Sequence, residues 1–85
     1  MVVGALAGWN VRHGVVSLHY EINDGGGFPA LLTYELGRVN GELVLNVHSG
    51  GYADAASINV RGDAAIQRLK DAEIWLDFPT FLRRG

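Results

Sequence analysis

The pair Asn40-Gly41 constrains this chain more than any other feature. It sits between two alternating runs, residues 33–39 and 42–48, and a two-residue type I′ turn needs positive φ at both central positions, which Asn and Gly tolerate best. The turn fixes a register. Pairing Val39 with Glu42 sets Leu36 opposite Leu45 and Tyr34 opposite Val47 on one face, with Glu35 opposite Asn46 and Thr33 opposite His48 on the other. The hairpin therefore has an apolar side and a polar side.

The same alternation extends the sheet. In residues 15–22, Val16, Leu18, Tyr20 and Ile22 point one way while Ser17, His19 and Glu21 point the other. Asn23-Asp24-Gly25-Gly26-Gly27 ends that strand, and Pro29 stands where a new strand can begin because its missing N–H matters least there. A turn near 24–27 that pairs Tyr20 with Leu32 yields a three-strand meander. Ile58 and Val60, alternating with Ser57, Asn59 and Arg61, suggest a fourth strand, and residues 2–9 a fifth at the edge. Gly14 breaks the pattern between that edge and residue 15.

Asp63 is placed to cap a helix by accepting from the free amides of its first turn. Ala65, Ile66, Leu69, Ala72 and Leu76 form a stripe at helical spacing, so a helix is expected to run from 64 to about 76 and lie on the apolar sheet face. Residues 74–78 are also good strand material, and Asp71, Glu73 and Asp77 sit badly against the negative end of a helix dipole. Pro79 stops whatever precedes it. The expectation is one α+β domain over residues 1–85: an antiparallel β-meander of four to five strands with one C-terminal helix packed on one face. Residues 57–69, a strand, a Gly62-Asp63 turn and a helix, resemble the ending of many small bacterial accessory proteins. That resemblance bears on topology alone.

Composition narrows the function classes. The net charge of −2 argues against general nucleic-acid binding, which relies on a basic surface to displace counterions. No cysteine is present, so disulfides, thiol nucleophiles and thiolate metal sites are excluded, and a reducing, cytoplasmic setting fits. Residues 1–9 are apolar but lack a basic leading segment, which speaks against a signal peptide, and no apolar run is long enough to span a bilayer.

One imbalance matters more. Hydrophobic residues make up 48% and charged residues only 19%. A domain of 85 residues has too little interior for all of that apolar area. On a helix running to Leu76, Ile74, Trp75 and Phe78 fall off the core stripe and join Trp9, Phe81 and Leu82 as apolar groups without a place in a single chain. These six residues are the candidate interface, and a homo-oligomer, a dimer in the simplest case, is the expected assembly.

The polar sheet face holds the candidate chemistry. The two registers place His19, Thr33 and His48 in one row across three strands, with Ser17, Glu35 and Asn46 in the next. Strands spaced ~4.8 Å apart leave the two histidine Cα atoms about 10 Å apart, close enough for the rings to lean together over Thr33. Such a row could bind an anion, hold a metal or relay a proton, with Glu21 or Glu35 as partners. A metal site wants three or four ligands, and none is expected. Ser49 is near His48 and Asp54 in sequence, but adjacent strand residues project to opposite faces, so no serine nucleophile is expected there. The glycines at 25–27 lead into a strand and not a helix, so they do not make a phosphate cradle.

The leading expectation is a non-enzymatic, homo-oligomeric binding protein with no cofactor, whose partner is a protein or a small molecule. Its shortness and lack of motifs resemble those of accessory proteins of phage and other mobile DNA. The alternative is a small ligand-binding protein or enzyme working through the His19/His48 face. A third expectation is an inhibitor-like module that presents Glu42, Asp54, Asp71 and Asp77 to a partner.

Overall fold

The computed structural model describes residues 5–22, 30–50 and 56–84. Five strands, β1 (Ala5–Arg12), β2 (Val15–Ile22), β3 (Ala30–Val39), β4 (Glu42–Gly50) and β5 (Ala56–Arg61), precede helix α1 (Asp63–Asp71), a 3-10 turn at Trp75–Asp77 and a one-turn helix α2 (Thr80–Arg83). Each strand pairs antiparallel with its successor, so spatial order equals chain order in an open sheet. The α+β meander read from the sequence is the observed fold.

Turn chemistry sets the registers. Asn40 (φ 52°) and Gly41 (φ 83°) make the two-residue turn, and the pairs Leu36 with Leu45, Tyr34 with Val47 and Thr33 with His48 follow from it. The pairing of Tyr20 with Leu32 also holds. Gly14, read as a breaker, is instead the second residue of another two-residue turn, His13 (φ 53°) with Gly14 (φ 77°). That turn joins β1 to β2, so the edge strand ends at Arg12 rather than at residue 9. A bulge at Ala7 shifts the register between Leu6 and Gly8. The 23–27 turn and the 25–27 glycines lie outside the described residues, as do Pro29 and Asp54.

One face of the sheet carries the core. Val16, Leu18, Tyr20, Tyr34, Leu36, Leu43, Leu45 and Val47 are buried there against Ala65 and Leu69 of α1. Helix α1 packs on β4 and β5, and α2 on β3.

The C-terminal third departs from the sequence reading. Helix α1 stops at Asp71, not near Leu76, and Leu76 lies exposed off the expected stripe. The stop is a Schellman motif: the Ile74 N–H donates to the Leu69 carbonyl at 3.0 Å, and the Glu73 N–H donates to Lys70 at 3.0 Å. Glu73 occupies the left-handed position usual for glycine, with φ 61°. The motif brings Ile74 back onto Leu69, and both are buried. It also explains Glu73 and Asp77, since the helix ends before both, with Asp71 its last residue. Asp63 is the first helical residue and not the cap. Gly62, at φ 59° and ψ −133°, holds that place, in a region closed to L side chains, and donates its N–H to Leu43 at 2.8 Å.

Ile74, Phe78 and Leu82 therefore need correcting as interface candidates. Leaving the helix at Ala72 lets the chain double back, so all three enter the core, with Phe78 only 1% exposed. Trp75 is partly buried and packs on the same cluster. Trp9 and Phe81 remain exposed, at 70% and 53%.

Two polar clasps fix this returning segment. Arg38 donates from Nη1 to the Gly41 carbonyl at 2.7 Å, and from Nη2 to the carbonyls of Leu82, at 2.9 Å, and Arg84. It thus caps the end of α2 with a positive charge. The Tyr20 hydroxyl donates to Asp77 Oδ2 at 3.0 Å, and the Tyr20 and Tyr34 rings meet edge to face at 5.8 Å.

Burial, reinforced for Tyr20 by the Asp77 carboxylate, raises the phenol pKa of both core tyrosines above the usual 10.0, with Arg68 partly offsetting this at Tyr34. The unfolded phenols release their protons first as pH rises. Stability contributed by both groups is therefore complete below pH 10 and declines above it, by up to about 1.4 kcal/mol per pH unit for each tyrosine. In denaturant melts taken across that range, Tyr20→Phe is expected to lower stability at neutral pH by about 1 kcal/mol and to flatten the alkaline decline. An unchanged alkaline slope in Tyr20→Phe contradicts this.

Candidate functional site

The face opposite the helices carries two central rows of mostly polar side chains that cross all five strands, flanked by Leu31 at one end and by Val15, Val39 and Val44 at the other. One row runs Asn10, Ser17, Glu35, Asn46, Asn59, and the next runs Gly8, His19, Thr33, His48, Ser57. The expected rows are thus present, each extended by one residue of β1 and one of β5.

The two histidines do not lean together. His19 Nδ1 lies 2.9 Å from Thr33 Oγ1, whereas His48 turns away, with Nε2 2.7 Å from Glu35 Oε1. Glu35 reaches diagonally between rows, which the long carboxylate arm permits. A carboxylate accepts, so in neutral His48 the proton sits on Nε2 and Nδ1 is free to accept. Ser57 Oγ lies 3.4 Å from that Nδ1. The order carboxylate, imidazole, hydroxyl is one that can activate an alcohol. Here it lies on an open sheet face, with the His48 and Glu35 side chains more than a third exposed. Beside it, Asn59 donates to Asn46 Oδ1 at 2.5 Å.

Ser57 was not among the candidates from sequence. Its polar face was legible, but its partner depends on the β4–β5 register, which no tight turn fixes. Ser49 faces the other side, opposite Leu32 and away from His48's face. Among the described residues no group of three or more His, Asp or Glu side chains is arranged to hold a metal ion. Of the acids read as a partner-facing charge, Asp77 accepts from Tyr20, Asp71 accepts from Gln67 at 2.8 Å, and Glu42 lies 3.9 Å from Arg61.

A different surface is apolar. On β1, Leu6, Trp9 and Val11 stand opposite Tyr20, Leu18 and Val16, hence on the helix-bearing face. The helices cover β3 to β5 and the Asp77 turn reaches β2, so β1 stays bare. Leu6, Trp9, Val11, Leu76 and Phe81 are 47–75% exposed. Trp75 and Leu76 also line a shallow hollow of about 340 Å³ with Lys70 and Glu73.

Compared with protein-family models, curated proteins and solved structures, the chain matches none. No described helix is long and apolar enough to cross a membrane.

Proposed function

We propose that this chain is a non-enzymatic interaction module that works as a homo-oligomer, in its simplest form a dimer. The bare apolar row of β1 supports this reading. Single exposed hydrophobics are ordinary, but Leu6, Trp9 and Val11 line one side of one strand, beside a core that ends where the helices end. Assembly through that row leaves the polar ladder free for a protein or small-molecule partner. A chain without cysteine is suited to the cytoplasm.

Light scattering on the eluting protein over a dilution series tests the assembly. Twice the chain mass at high micromolar concentration, falling on dilution, is expected. A single-chain mass throughout overturns the proposal.

The Glu35–His48–Ser57 chain favours a second reading, a ligand-binding protein or small enzyme that uses the polar face. Its outward orientation and shallow setting supply little to hold a substrate or exclude water. His48→Ala in a protein of unchanged fold separates the two readings, because it abolishes binding or turnover on the second and leaves self-association intact on the first.

A further inference from the structure

We infer that the partner of β1 is the β1 of a second copy, paired antiparallel about a two-fold axis through Asn10. This rests on the self-association proposed above and specifies how it is made.

The turn at His13-Gly14 dictates which backbone groups are available. In a two-residue hairpin the flanking pair, here Arg12 with Val15, exchanges both hydrogen bonds, and the pairs alternate from there. Asn10 thus bonds inward to Ser17, while Trp9 and Val11 sit in the non-bonded pairs and aim their N–H and C=O groups at the open edge. Their side chains are the exposed apolar ones. Among the described residues, the same two therefore carry both the outward-facing hydrogen-bonding groups and the unburied hydrophobic surface.

Only one register uses both fully. Regular strand runs from Gly8 to Arg12, since the bulge at Ala7 breaks the edge beyond it. Centring the two-fold axis on Asn10 sets Trp9 against Val11 of the second copy, and Val11 against its Trp9, in two hydrogen-bonded pairs. Each joins an aromatic to a β-branched side chain, a favourable cross-strand combination. On the other face Asn10 meets its own equivalent, where two amides can bond each other. Arg12 falls opposite Gly8, four residues or about 13 Å along the strand from the other Arg12, beyond the ~8 Å screening length. No like charges are opposed.

The other open edge is built differently. The same alternation, counted from the Asn40-Gly41 turn through β4, aims the free backbone groups of β5 outward at Ser57, Asn59 and Arg61, whose side chains are polar and lie on the ladder face. A short, polar, charge-bearing strand is how sheet edges resist pairing. The area available at β1 is modest: Trp9 brings on the order of 150–250 Å², and the whole patch lies at the low end for specific interfaces. A reversible, concentration-dependent dimer is the consequence.

Asn10→Cys tests the register in a chain that has no other thiol. Non-bonded antiparallel pairs hold their Cα atoms about 4.5 Å apart, within the roughly 4.4–6.8 Å a disulfide spans. Mild oxidation should convert most of the Asn10→Cys protein to a covalent dimer, and Asn59→Cys on β5 should stay single. Trp9→Lys, at a site already exposed, should lower the dimer fraction at least tenfold while leaving the circular dichroism unchanged. A dimer by light scattering that neither cross-links at position 10 nor responds to Trp9→Lys overturns the β1 pairing and keeps self-association. A single-chain mass for the unmodified protein overturns both.

Discussion

Phe78→Ala should destabilise the fold strongly, and Phe81→Ala should not. The ring is 1% exposed and is the largest fully buried side chain among the described residues. It holds the returning C-terminal segment against the sheet, so its loss removes the ring's transfer free energy and opens a cavity, together about 3–5 kcal/mol. A domain of this length has roughly 4–13 kcal/mol of stability in all. Chemical denaturation followed by circular dichroism should show the midpoint falling by about a quarter or more. Phe81→Ala, three residues on at an exposed site, should shift it little. Equal effects of the two substitutions would refute the burial pattern that separates them.

Arg38→Ala should cost about 2 kcal/mol and should act locally before it acts globally. One guanidinium bonds three carbonyls, two of them at the end of α2. A helix of four residues has no stability of its own, so its order depends on that clasp and on Leu82. Hydrogen exchange is the appropriate probe: amides at 82–84 should lose protection in Arg38→Ala while those of β3 and β4 keep theirs. Arg38→Lys keeps the charge but replaces a planar fork with a single point, and should recover less than half of the loss. Full recovery in Arg38→Lys would contradict the bonding geometry.

What the sequence disclosed follows from how local each signal is. The Asn40-Gly41 turn fixes its register within four residues, and alternation then assigns faces to 15–22, 30–39 and 42–48. The polar rows were legible for that reason. His13-Gly14 carries the same turn with a less typical first residue, so β1 was read three residues short. The end of α1 was misread for a different reason. Its stop relies on Glu73 holding a left-handed conformation that glycine usually marks, and the capture of Ile74 by Leu69 is a tertiary event without a local signature. A helix continued past that stop would carry Ile74, Phe78 and Leu82 away from the core, where the observed turn buries them. The pairing of Ser57 with His48 was hidden similarly, because β4 and β5 are joined by a longer connection whose residues do not specify register. Trp9 has no place in the core, and the reason is visible only in three dimensions: the helices cover β3 to β5 and leave β1 bare.

The amides of Trp9 and Val11 give the most direct test of that bare edge, because they face away from β2 and have no strand partner among the described residues. Measured by hydrogen exchange at two protein concentrations, both should be protected when concentrated and should exchange freely when dilute, while Asn10 stays protected in each. Free exchange of Trp9 and Val11 at every concentration would mean that no second strand is ever laid against β1.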